Sequence, residues 1–192
     1  MRVCKNSGRN AFRKTNLLLS LTKPIRMRGY WCAFILLLTV WAASAQNPKR
    51  PDFKKQQAPM PAFRIRQMNG AFFNSTQLRK GTPTVLFIFS PVCDHCEQVL
   101  NELNTRTADF NGTQFVFILE ERQKPYLKAF LARTKLQQNP FFRNLGTDAS
   151  NLIYDIYTYQ ALPQVTVYDR RGRLAHTFTS TISLDSVQAL VK

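Results

Sequence analysis

Cys93-Asp94-His95-Cys96 is the one constellation in this chain with evident chemistry. Two cysteines separated by two residues can attack, hold and release a disulfide. It follows Thr84–Phe89 (TVLFIF), a continuous β-branched and aromatic run that reads as a strand buried on both faces. Ser90-Pro91-Val92 then leads into residues 93–104, where Cys96, Val99, Leu100 and Leu103 recur at helical spacing. Cys93 is therefore expected at a helix N-terminus, where unpaired backbone N–H groups and the positive dipole end favour a thiolate. The thiolate is the attacking species. Cys96, one turn on and more buried, suits the resolving role and is close enough for a Cys93–Cys96 disulfide. His95, when protonated, would favour the Cys93 thiolate, and Asp94 would oppose it.

The positioning elements alternate. Phe63–Arg66, Asn69-Gly70 and Ala71–Phe73 form an N-terminal hairpin pattern. Gln114–Leu119 (QFVFIL) is a second buried strand, entered through Asn111-Gly112. Residues 122–136 place Tyr126, Leu127, Phe130 and Leu131 on one helical face. A short strand over Phe141–Leu145, a helix over 149–157, a strand over Val165–Tyr168 and a return strand over Arg173–Phe178 follow. A last helix is lined by Leu184, Val187, Leu190 and Val191. Strands alternating with helices give an α/β domain, and the closing hairpin makes its sheet mixed. The run of aromatic residues in the strands reads as core, and Tyr154, Tyr157 and Tyr159 read as packing residues rather than a groove rim.

The chain of 192 residues carries 27 Lys and Arg against 11 Asp and Glu, for a net charge of +16. Such a charge raises nucleic acid or an anionic surface as partner. Half of it lies in residues 1–45, which hold eight cations and no acid. There a basic stretch, the apolar run Tyr30–Ala42 and Ala43-Ser44-Ala45 form the three parts of a secretory signal, with cleavage expected between Ala45 and Gln46. At 13 residues the run spans about 20 Å as a helix, short of the roughly 30 Å of a bilayer core, which favours a cleaved signal over a membrane anchor. Met27 opens a compact signal by itself, so translation is expected to start either there or at Met1 with a genuinely extended basic segment. Cys32 lies near the start of the apolar run, whereas a lipid-attachment Cys should follow it, so lipidation at Cys32 is not expected. Removal of the signal takes Cys4 and Cys32 with it, leaving Cys93 and Cys96. Residues 46–62, with four Pro and four basic residues, read as a flexible leader, and folded structure is expected from Phe63 to Lys192. The remaining cations are scattered, so no nucleic-acid partner is expected.

On these residues the chain resembles the thioredoxin-fold proteins, and within them the TlpA/ResA-like extracytoplasmic thiol–disulfide oxidoreductases. The resemblance covers most of 63–192. It rests on the strand–CxxC–helix unit and on Leu162-Pro163-Gln164-Val165-Thr166-Val167-Tyr168-Asp169 followed by Gly172. It implies a cis-Pro163 facing the dithiol, with Leu162 offering backbone groups to a bound substrate. It also implies that the helix and strand between QFVFIL and Pro163 are the central insert of the TlpA-like branch. Phe87 stands where thioredoxins have a buried Asp, and Val92 where they have Trp. Val99 and Asn101 replace the Glu and Pro that often follow the second Cys in the TlpA-like branch. The usual carboxylate proton acceptor is thus missing, and Glu97, Glu120 and Glu121 read as surface charges. His95 resembles the strongly oxidising members while Asp94 pulls the other way. Potentials in the superfamily span about −270 to −120 mV, and an intermediate value is expected.

The resulting expectation is an exported, periplasmic oxidoreductase acting on protein thiols or disulfides, without cofactor or metal. A membrane redox partner would regenerate it if it acts as a reductase. Two rivals share the same thiols. One is a copper-carrying protein using Cys93, Cys96 and His176; the other is a module with an inert disulfide. A four-ligand zinc site needs more Cys or His: beside Cys93 and Cys96 the mature chain offers only His95 and His176, neither at ligand spacing.

Overall fold

The computed structural model describes residues 51–192. The expected signal segment 1–45, its cleavage site at Ala45/Gln46, Met27, Cys4, Cys32 and the first part of the leader lie outside the described residues.

Seven strands form one sheet: β1 (Arg64–Gln67), β2 (Phe72–Asn74), β3 (Thr84–Ile88), β4 (Gln114–Glu120), β5 (Leu145–Asp148), β6 (Gln164–Tyr168) and β7 (Leu174–Thr179). Their spatial order is β2-β1-β5-β4-β3-β6-β7. β3, β4 and β5 run parallel, while β1, β2, β6 and β7 pair antiparallel to their neighbours, so the sheet is mixed. The helices are α1 (Asp94–Thr105), α2 (Lys124–Thr134), α3 (Leu152–Tyr157) and α4 (Leu184–Val191).

Every residue of β3 is buried, as the unbroken TVLFI run requires of a strand covered on both sides. Alternation divides its side chains. Val85 and Phe87 face a core shared with Leu100 and Leu103 of α1, Leu127 and Phe130 of α2, and Val187 and Val191 of α4. Leu86 and Ile88 face the opposite core, with Ile153 and Tyr157 of α3, Ile65 of β1 and Phe63. Phe117 of β4 anchors the first core, its ring 4.5 Å from Phe142 and 5.7 Å from Phe115.

Several expectations shift. The strand expected at Phe141–Leu145 begins only at Leu145, because Pro140–Phe142 makes a tight 3-10 turn. Pro140 lacks the N–H a ladder needs, and the Asn139 side chain accepts from Phe141 N–H at 3.0 Å. Tyr126 and Leu190, expected to face inward, are exposed. The leader is not free up to Phe63. Gln57 N–H donates to Leu174 O, Leu174 N–H to Ala58 O and Met60 N–H to Gly172 O, and Ala58 is buried. These bonds occupy the start of β7, the edge strand whose unpaired backbone groups would otherwise face water. Among the described residues no helix is long and apolar enough to cross a membrane.

Candidate functional site

The sheet register brings the dithiol and the Leu162-Pro163 segment together. β3 and β6 pair antiparallel with Ile88 opposite Gln164, so the chain leaving β3 and the chain entering β6 meet at one end of the sheet. Five residues beyond Ile88 stands Cys93; the two residues before Gln164 are Leu162 and Pro163. Cys93 Sγ lies 3.8 Å from Leu162 O, and the Leu162–Pro163 peptide bond is cis. Leu162 is half-buried and packs against both cores.

Cys93 caps α1. Its backbone is extended, and its sulfur accepts from Cys96 N–H at 3.3 Å, so one of the unpaired N–H groups of the first helical turn points at the thiol. Cys93 is half-buried, whereas Cys96 is fully buried; both are free thiols in this structure. Burial raises the Cys96 pKa well above its ordinary range, with its hydrogen bond to Cys93 adding to the rise. The accessible sulfur is thus poised at the helix end, and the inner sulfur holds its proton.

Asp94 and His95 stand exposed on the first turn of α1, and neither makes a side-chain hydrogen bond among the described residues. Val92, in the place where thioredoxins have Trp, is 61% exposed beside Cys93. His176 lies exposed on β7 with its ring 4.5 Å from Phe178. Among the described residues no three His, Cys, Asp or Glu side chains converge as a metal-holding group.

The acids considered as surface charges are engaged. Arg133 of α2 donates to Glu97 at 2.7 Å and holds its carboxyl below the ordinary value, tying α1 to α2. Glu120 accepts from Tyr159 Oη at 3.1 Å and pairs with Arg122, and Glu121 accepts from Thr147 Oγ1. Ser90, which the sequence places in the connection ahead of Cys93, has a structural role there that the sequence reading did not assign. Its hydroxyl accepts from Val92 N–H at 3.3 Å and its carbonyl from Cys93 N–H at 3.2 Å, which fixes the turn that delivers Cys93. A serine whose side chain bonds the backbone two residues on was the available signal.

No family model and no curated protein sequence matches the chain. Solved structures do. A secreted Mycobacterium tuberculosis disulfide oxidoreductase homologous to E. coli DsbE aligns at 23% identity and TM-score 0.56, over 67% of this chain and 93% of its own. StoA from Bacillus subtilis aligns at 15% identity and TM-score 0.55, over 71% and 99%. The thioredoxin domain of a thiol-disulfide oxidoreductase from Bacteroides vulgatus aligns at 14% identity and TM-score 0.58, over 72% and 99%. With the strand order and the dithiol at the head of α1, these likenesses establish a thioredoxin fold for this chain.

Proposed function

We propose that this protein is an exported thiol–disulfide oxidoreductase that exchanges disulfides with protein substrates through Cys93 and Cys96. The observation that carries the reading is the unequal pair of thiols at the head of α1. One is half-exposed and receives the Cys96 N–H; the other is fully buried with a raised pKa. In the reducing direction the Cys93 thiolate attacks one sulfur of a substrate disulfide. A Cys93–substrate disulfide forms, and the other substrate sulfur leaves as a thiolate that takes a proton. Cys96 then gives up its proton and attacks Cys93 Sγ. The Cys93–Cys96 disulfide closes, the second substrate thiol leaves, and two electrons have passed to the substrate. The oxidising direction is the same sequence reversed. Leu162 O, beside Cys93 Sγ, is placed to meet the backbone of a substrate, and Asp94 and His95 set the local charge next to Cys93. Turnover needs a partner that restores the starting redox state, and outside the cytoplasm a membrane-embedded thiol carrier is the natural donor for a reductase.

The test is insulin reduction by the purified protein in the presence of dithiothreitol. Wild type is expected to accelerate precipitation of the insulin B chain. Cys93→Ser is expected to abolish this, and Cys96→Ser to accumulate a mixed disulfide. A wild-type protein without turnover that binds stoichiometric copper would sink the proposal in favour of the carrier. Export has a separate check, since sequencing the secreted protein should give Gln46 as its first residue.

A further inference from the structure

A second candidate site lies at the other end of the sheet, where the parallel strands begin. A cleft of about 350 Å³ opens there beside Gln114, the first residue of β4, and Asn144, just before β5. β4 is seven residues long, so about 20 Å of strand separates this cleft from the end that carries the dithiol.

Its lining combines three kinds of group. Arg79 and Arg143 are exposed guanidinium residues, and neither forms an ion pair among the described residues, whereas Arg106, Arg122 and Arg133 each do. No Asp or Glu lines the cleft. Thr113 is 8% exposed, and its hydroxyl is buried without a hydrogen-bond partner. A buried polar group without a partner is uncommon and calls for an explanation. Gln77 uses its Oε1 to accept Asn74 N–H at 2.7 Å, which leaves its amide nitrogen as a donor. The apolar wall is formed by Phe115 and Phe141, with ring centroids 4.6 Å apart. The Gln114 amide is already committed, accepting from Arg79 N–H and donating to Thr84 Oγ1, so it shapes the cleft rather than offering a contact.

Two arginines without an acidic partner line one cleft that holds no carboxylate, so an oxyanion there would meet two cationic partners. Each guanidinium presents a planar fork that matches carboxylate and phosphate oxygens. The cleft volume falls at the small end of the range for ligand pockets. The geometry points to a binding site for a small aromatic oxyanion. Its carboxylate or phosphate head would lie between Arg79 and Arg143 within reach of the Thr113 hydroxyl, and its ring against Phe115 and Phe141.

Binding is tested on the full-length reduced protein by NMR titration with phenyl phosphate and phenylacetate, using inorganic phosphate and benzyl alcohol as the head alone and the body alone. Saturable shifts are expected at the Thr113, Gln114 and Asn144 amides. At least one of the two aromatic anions should bind roughly tenfold or more tighter than either fragment; the tighter one identifies the head group. Loss of a charge-assisted bond should weaken binding about tenfold or more in Arg79→Gln and in Arg143→Gln, and the near-isosteric Thr113→Val should weaken it a few-fold. All three variants should retain wild-type insulin reduction, which confirms their fold. The proposal is overturned by shifts that do not saturate, by shifts that map elsewhere, by fragments that bind as well as the aromatic anions, or by arginine variants that bind like wild type.

Discussion

Cys96 makes the reduced protein's stability depend on pH in a way that one substitution removes. Its side chain is fully buried, and burial raises its thiol above the ordinary value of 9.0. In the unfolded chain the thiol ionises through that ordinary value, while in the folded chain it stays protonated. The unfolded state therefore sheds a proton that the folded state keeps. The associated stability is fully present below pH 9 and is lost progressively above it. At pH 10, one unit above the ordinary value, the unfolded state has gained RT ln(1 + 10), or about 1.4 kcal/mol. Serine does not titrate in this range, so Cys96→Ser lacks the effect. Tyr157, Tyr159 and Tyr168, which burial also shifts upward, contribute equally to both proteins and cancel. Urea unfolding of wild type and Cys96→Ser in a phosphine reductant, from pH 7 to pH 10, should show the difference in stability moving against wild type by about 1.4 kcal/mol. A difference that stays flat, or moves toward wild type, would refute the assignment of Cys96 as a buried, proton-holding thiol. Under the proposed mechanism the same property governs the resolving step. Because Cys96 must lose its proton to attack Cys93 Sγ, decay of the mixed disulfide should accelerate as pH rises.

Two stability predictions follow from the sheet. A Cβ at Gly146 would stand 2.7 Å from Arg66 O and 3.0 Å from Arg66 C, backbone atoms of the neighbouring β1, so Gly146→Ala should cost about 1–3 kcal/mol. The urea midpoint should fall with an unchanged slope. Phe117 is 1% exposed and touches the Phe87, Phe115, Phe141 and Phe142 rings; Phe117→Ala should cost about 3–5 kcal/mol, read in the same assay.

The parts of the fold legible in the sequence are those written locally. TVLFI announces a strand covered on both faces, and the stripe of Cys96, Leu100 and Leu103 announces the helix that follows it. The turn between them places Cys93 at a helix end by local sequence alone. Long-range pairing left weaker marks. The leader looked like solvated tail because Pro and Lys dominate it, yet Gln57 and Ala58 meet the open edge of β7 through backbone groups that carry no side-chain signature. Phe141 and Phe142 look like strand residues by composition. Asn139 and Pro140 turn the chain there, so β5 starts later and the two rings pack against Phe117. Glu97 looked free because its partner, Arg133, belongs to another helix. The cleft lined by Arg79 and Arg143 was hidden for the same reason, since the two arginines come from separate strand connections and each alone is an ordinary surface cation.

The site itself follows from one pairing choice. Had β6 run parallel to β3, the segment preceding β6 would lie beside the start of β3, roughly a strand length from Cys93. Because the pairing is antiparallel, with Thr84 opposite Tyr168 and Ile88 opposite Gln164, the exit of β3 and the entrance of β6 share an end of the sheet. Both segments are irregular backbone; beyond the strand ends Phe89 N–H still donates to Ile118 O and Pro163 O accepts from Ser180 N–H, but Leu162 O takes part in no ladder. Leu162 O is thus left beside Cys93 Sγ rather than consumed in a ladder. Under the proposed function, a substrate chain would approach this sulfur and the neighbouring carbonyl at once. The buried β3 and β6 hold the two segments in register while leaving Val92 and Leu162 accessible at the surface. The rigidity of the strands and the accessibility of the sulfur therefore come from the same register. A substitution that slips this register by one residue should abolish disulfide exchange even if both cysteines remain present.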